Sequence, residues 1–186
     1  MKRAFDLVLA AIASILLAVP ILLIAVLVVM TSGRPVLYWS DRVGRGNQIF
    51  RMPKFRTMHV GTPALASHLL KDAQIHLTPL GHFLRKTSLD ELPQLWNILI
   101  GDMSFVGPRP ALFNQYDLIE MRTRHGVHEL SPGLTGWAQV NGRDDLLIPQ
   151  KVELDLQYMK LQSIFLDCRI LWRTLIKVIH GHGVSH

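Results

Sequence analysis

Cysteine is nearly absent: Cys168 is the only one in the chain. That excludes an internal disulfide framework and the usual zinc clusters of several cysteines. Charged side chains are sparse, at 18% of 186 residues, so the chain is too apolar to be disordered. Fixed-period repeats and low-complexity tracts are missing. So are a Walker A loop and a G-x-G-x-x-G following a strand. Acidic residues are the minority, 14 against 20 Lys and Arg, which leaves a formal charge of +6. The length suits one ordinary domain, or one domain plus a membrane element.

Polarity is lost altogether in one stretch. Residues 7–30 carry no charge over 24 positions, and Ser14 is their only clearly polar side chain. As a helix the run would reach about 36 Å, against a hydrocarbon core of about 30 Å. A cleaved signal peptide fits poorly, because the run outlasts a usual h-region and has no A-x-A-like site at its end. Pro20 lies mid-run and predicts a bend there. Lys2 and Arg3 flank one end, and Arg34, Arg42 and Arg45 the other. Basic flanks are cytoplasmic ones. If both ends obey that rule, the element enters the membrane and returns as a hairpin. A single span with a tolerated proline is the other reading, and charge counting leaves both open.

Gly33-Arg34-Pro35 then breaks the chain. Residues 36–39 and 48–52 read as short strands around a Gly44-Arg45-Gly46-Asn47 turn. Helices are expected over 63–73, 80–86, 88–100, 113–124, 149–161 and 164–179, with short extended stretches in the glycine-rich 131–143. In the last helix Ile164, Phe165, Leu171, Trp172, Leu175, Ile176 and Ile179 can share a side, with Arg169, Arg173 and Lys177 largely opposite. Such a helix lies in a membrane interface or packs on a domain core.

The chemistry concentrates in three places. Ser88 followed by Glu91 is a capping-box spacing, and it puts Asp90 and Glu91 in a first helical turn. Acids there need no function. Yet Arg85 and Lys86 sit just upstream, and adjacent carboxylates beside cations can hold a divalent metal and a phosphate together. An aspartate can also attack phosphorus and form an acyl phosphate. Arg51, Lys54 and Arg56 form a basic cluster after the second strand. It suits phosphate or anionic lipid, or a charged strand edge that discourages pairing. Gly107-Pro108-Arg109-Pro110 sets one guanidinium in a rigid frame, suited to bidentate recognition of a phosphate or carboxylate, or serves as a stiff connector. His180, His182 and His186 at the tail read as a frayed end rather than a metal site.

Five stretches together resemble the bacterial sugar transferase family, the monotopic polyprenol-phosphate phosphoglycosyl transferases. They are Lys2-Arg3-Ala4-Phe5-Asp6; Lys54-Phe55-Arg56-Thr57-Met58; residues 84–95, centred on Ser88-Leu89-Asp90-Glu91-Leu92-Pro93-Gln94; Met103-Ser104-Phe105-Val106-Gly107-Pro108-Arg109-Pro110; and residues 132–143, from Pro132-Gly133-Leu134-Thr135-Gly136-Trp137 to Asn141-Gly142-Arg143. They occur in family order and cover nearly the whole chain. Val19 stands where the family often has serine before the helix-breaking proline, and Phe105 where leucine is common. The chain resembles the family's minimal catalytic form, without the extra N-terminal transmembrane bundle of longer relatives.

The resemblance implies an α+β fold, mostly helical, with an N-terminal re-entrant membrane helix hairpin broken at Pro20, a small β-hairpin and interfacial amphipathic helices. Residues 1–33 would be the membrane-embedded part, and 34–186 a catalytic domain at the membrane surface. It implies transfer of a phosphosugar from a UDP-sugar to undecaprenyl phosphate in the lipid bilayer, on the cytoplasmic face of the bacterial inner membrane. UMP would be released and the lipid product passed to downstream glycosyltransferases. Asp90 resembles the nucleophile, and Glu91 its partner in holding Mg²⁺. Lys54, Arg56, Arg85 and Arg109 match basic family positions that would bind substrate, and Asp155 matches a polar one. On that reading the +6 charge serves membrane and phosphate attraction rather than nucleic acid. Two rivals stand beside it. A non-catalytic membrane adaptor would keep its role in Asp90→Asn. A metal-dependent membrane phosphohydrolase would release free sugar phosphate without a lipid acceptor.

Overall fold

The computed structural model describes residues 1–63, 73–142 and 145–180. Most of the expected 63–73 helix, Arg143, His182 and His186 lie outside the described residues. The apolar run forms two helices, α1 (Lys2–Leu16) and α2 (Ala18–Ser32), bent by 59° at Leu17. The break lies three residues before Pro20, which corrects the expectation of a bend at the proline itself. The reason is steric: a proline ring collides with the carbonyl four residues back, here Leu16, the last residue of α1. Among the described residues no single helix is long and apolar enough to cross a membrane; only the bent pair meets that test together. Two arms of 15 residues each are about 22 Å long, so a bend of this size displaces the apex by only about 11 Å from the line joining the ends. That is less than one leaflet's share of a core of about 30 Å. The shape is compatible with a re-entrant hairpin.

The pair is bound to the rest of the chain along its length. Ala10 is fully buried in the main core with Leu95, Ile98, Met103, Phe105, Tyr158 and Ile170, while Ile24 and Val28 pack with Phe55 and Leu84. Each of the larger aliphatic and Phe side chains contributes about 1.5–3 kcal/mol on burial. Polar contacts then fasten both ends. Lys2 Nζ reaches Asp167 Oδ2 at 2.6 Å. Arg3 donates to the carbonyls of Ile98 and Leu99 at 2.5 and 2.8 Å. The buried Asp6 carboxylate accepts the Phe105 N–H at 3.1 Å. At the other end the Arg56 guanidinium donates to the carbonyls of Ser32, Gly33 and Arg34, covering the carbonyl end of α2.

Strands β1 (Leu37–Val43) and β2 (Ile49–Phe55) pair antiparallel, with Tyr38 opposite Lys54 and Arg42 opposite Phe50. Both are longer than the sequence suggested. The turn between them carries Gly46 and Asn47 at positive φ. Short helix α3 (Gly81–Lys86) leads to the segment expected as one helix over 88–100. It splits instead into a 3-10 turn, Leu89–Gln94, and α4 (Leu95–Ile100). Pro93 has no N–H to give, so an α-helical ladder cannot run through it. The capping box is absent as well: Ser88 is left-handed at φ 56° and makes no side-chain cap bond.

Next come β3 (Ser104–Val106) and β4 (Ala111–Leu112), which joins β1 at Arg42 and Val43. Because the chain is still paired there, α5 begins only at Tyr116 (Tyr116–Arg124), later than the expected 113. Parallel to β3 runs β5 (Gly133–Thr135), followed by α6 (Trp137–Val140), α7 (Ile148–Leu161) and α8 (Ile164–His180). The glycines of these motifs have a packing reason. A Cβ on Gly133 would lie 2.1 Å from Gly107 N, and one on Gly107 2.3 Å from Ser131 O. Helix α8 buries Asp167 and Ile170 and leaves Phe165, Trp172 and Leu175 exposed, so its apolar face points away from the body. Helices α1 and α2 also expose Ile12, Ile15, Leu22 and Leu23.

Both ends of the bent pair are held by one body, which a bilayer cannot separate. Cysteines placed at Ala4 and Thr31 in a Cys168→Ser background are therefore expected to react with an impermeant maleimide from the same side. Labelling from opposite sides contradicts the fold.

Candidate functional site

Three segments converge on the 3-10 turn that carries Asp90 and Glu91. Strand β2 brings Lys54, whose Nζ lies 2.6 Å from Glu91 Oε1. The β3–β4 connection brings Arg109, whose guanidinium lies 3.6 Å from that same oxygen. Helix α3 brings Arg85 from its last turn, within electrostatic reach of both acids. Asp90 is buried at 7% exposure. The structure brings Lys54, Arg85 and Arg109 together beside the acidic pair.

Burial governs the protonation balance. It pushes the Asp90 carboxyl above its ordinary value, against the pull of Lys54; the Glu91 charge adds to the rise, and Arg85 and Arg109 oppose it. Lys54 is pushed down by burial, against Glu91 and Asp90, which favour its charged form. Arg85 is lowered for the same reason. A carboxyl raised in the folded state costs stability once ionised. Folding therefore weakens as pH rises from the ordinary aspartate value through the raised one. A site that spends stability to hold an ionisable carboxyl in a dry place is the pattern of functional groups.

Sequence reasoning placed Arg42 only as a flank of the apolar run. The structure puts it on β1 beside the site, its Nε donating to Ser40 Oγ at 3.0 Å and its guanidinium to the Pro110 carbonyl at 3.1 Å. Burial, with Arg109 nearby, lowers its pKa to about 10. The signal was available in part: alternation along β1 puts Arg42, Ser40 and Tyr38 on one face, the face of Lys54.

Two residues expected to bind substrate are engaged by other groups. Arg56, only two residues from Lys54, is 6% exposed and spends its guanidinium on the carbonyls of residues 32–34. It fastens the carbonyl end of α2 and does not join the group around Asp90 and Glu91. Asp155 is 1% exposed and forked onto Arg122, with Nε at 3.0 Å and Nη2 at 2.7 Å from its Oδ2. No face of that carboxylate is open to a substrate.

The described residues contain no group of three or more His, Cys, Asp or Glu that could form a metal cage. The donor set fits a different mode. Mg²⁺ takes one or two carboxylates and completes its shell with water and substrate phosphate. Asp90 and Glu91 are two such carboxylates, with Lys54 and Arg109 placed to share the phosphate charge.

The site thus joins a buried and a half-buried carboxylate to three cations, on a body that carries an apolar bent helix pair. The sequence model described as "Bacterial sugar transferase" matches residues 1–181. The chain is 42% identical over 186 residues to the uncharacterized sugar transferase EpsL of Bacillus subtilis, covering all of this chain and 90% of that protein. It is 37% identical to the UDP-N-acetylgalactosamine-undecaprenyl-phosphate N-acetylgalactosaminephosphotransferase of Aeromonas hydrophila, over 98% of this chain and 44% of the relative. It is 39% identical to the UDP-glucose:undecaprenyl-phosphate glucose-1-phosphate transferase of Escherichia coli, over 95% of this chain and 40% of the relative. The chain thus spans nine-tenths of the first relative and under half of the other two. It belongs to the bacterial sugar transferase family, and is an enzyme.

Difference infrared titration, wild type minus Asp90→Asn, is expected to show a carboxyl midpoint above the ordinary aspartate value. Lys54→Met removes the strongest opposing charge and is expected to move it higher still. A midpoint in the ordinary range, or a downward move in Lys54→Met, contradicts this account.

Proposed function

We propose that the chain transfers a sugar phosphate from a UDP-sugar to undecaprenyl phosphate through a covalent intermediate on Asp90. The observation that carries this reading is the burial of Asp90 beside Glu91, Lys54, Arg85 and Arg109, in a fold whose relatives are named as undecaprenyl-phosphate sugar phosphotransferases.

The Asp90 carboxylate attacks the phosphorus that bears the sugar. The bond from that phosphorus to the bridging oxygen breaks, and its electron pair leaves on UMP. Asp90 then carries the sugar phosphate as an acyl phosphate. An oxygen of undecaprenyl phosphate attacks the same phosphorus, and cleavage of the Asp90 O–P bond restores the carboxylate. The products are UMP and undecaprenyl diphosphate-sugar, a substrate for later glycosyltransferases.

The obstacle is charge, since a carboxylate approaches a dianionic diphosphate. Arg85 and Arg109, beside the acidic pair, would screen the diphosphate, and Lys54 steadies Glu91 while lowering the cost of ionising Asp90. When bound, Mg²⁺ supplies further neutralisation of the phosphate oxygens. The acceptor phosphate lies at headgroup depth. The bent helix pair and the outward apolar face of α8 would hold the site there, on the cytoplasmic face, where the UDP-sugar is found.

UMP release from a panel of UDP-sugars, with Mg²⁺ and undecaprenyl phosphate, tests the reading. Asp90→Asn is expected to lower turnover by about a thousandfold or more. Release of free sugar phosphate without lipid favours the phosphohydrolase. UMP formation unchanged in Asp90→Asn means that another group is the nucleophile.

A further inference from the structure

Arg122 and Asp155 take no direct part in that mechanism, yet both are buried. A charged pair is costly to bury unless its hydrogen bonds are complete. Here Arg122 Nε and Nη2 grip Asp155, and the remaining Nη1 donates to the main-chain carbonyl of Arg109 at 2.7 Å. The neighbouring carbonyls are also occupied. Pro108 O accepts the Gly133 N–H at 2.9 Å, and Pro110 O accepts Arg42 Nη1 at 3.1 Å. Three consecutive carbonyls are therefore held from three different elements. A small, partly open depression borders Pro108, Arg109, Pro110 and Arg122.

We propose that Arg122, oriented by Asp155, is a positioning residue that fixes the Arg109 backbone so that its guanidinium meets Glu91 and the donor's diphosphate. The inference rests on the functional reading above. The fork geometry is the reason for arginine. A lysine can pair with Asp155 or reach the Arg109 carbonyl, but its single ammonium cannot reproduce three bonds in one plane.

A ³¹P NMR titration of the full detergent-solubilised chain with UDP and Mg²⁺ tests it, since it reads affinity down to the millimolar range without turnover. Arg122→Lys and Asp155→Asn are compared in the native and Arg109→Ala backgrounds, with a thermal melt of each. Arg122→Lys is expected to weaken UDP binding about tenfold, the worth of one charge-assisted hydrogen bond. Asp155→Asn, which keeps the shape and loses the charge, is expected to weaken it less. In the Arg109→Ala background both effects are expected to vanish, because the group being positioned is gone. Equal losses in both backgrounds, or no loss in the native one, overturn the proposal. So does loss of a cooperative melt in both variants, which would assign the pair to folding alone. If the wild type binds no UDP, the functional reading fails and takes this inference with it. Binding that is indifferent to Arg122 sinks the inference only.

Discussion

One oxygen organises the site. Glu91 Oε1 lies 2.6 Å from Lys54 Nζ and 3.6 Å from Arg109, so strand β2, the 3-10 turn and the β3–β4 connection meet on it. These segments are far apart in the chain, and each reaches the point by a different device. Lys54 rides on a hairpin whose register is set by seven pairs. The acids sit on a turn that Pro93 keeps from becoming an α-helix. Arg109 hangs from backbone contacts that need glycine at 107 and 133. Removing Glu91 would leave the buried Lys54 beside the partly exposed Arg109, without the charge that restrains the downward shift burial imposes on Lys54.

The same strand joins this chemistry to the apolar helices. Lys54 serves the site, and two residues later Arg56 covers the end of α2. At the opposite end of the pair, Lys2 meets Asp167 on α8, which also accepts the Tyr158 hydroxyl at 2.7 Å. Arg3 holds the end of α4, the helix that continues from the acidic turn. Asp90 and the exposed apolar surface of α1, α2 and α8 are therefore parts of one body. The proposed reaction, with one soluble and one lipid-borne substrate, requires such a fixed height.

Much of this was legible in the sequence because it is local. The apolar run, the hairpin with its glycine turn, the adjacent acids and the proline frame around Arg109 each occupy one continuous stretch of chain. What was not legible is the choice of partner across long separations. Arg56 and Lys54 look alike in one basic cluster, and only the tertiary fold gives one to α2 and the other to Glu91. Asp155 has the look of a site acid until Arg122, 33 residues away, is seen to take it. Asp6 holds a backbone N–H 99 residues downstream. The Ser88–Glu91 spacing misled for a related reason. Lys54 claims the carboxylate that a capping box would have used, and the turn settles into 3-10 form instead.

The proposed function turns on Asp90 becoming covalently bonded to the sugar phosphate. Mass spectrometry of the intact wild-type chain, mixed with its UDP-sugar and Mg²⁺ but no lipid, addresses that step alone. A gain equal to one sugar phosphate is expected, located on the peptide containing Asp90, absent from Asp90→Asn and discharged by undecaprenyl phosphate. Steady turnover with no adduct formed, or an adduct that persists in Asp90→Asn, contradicts it.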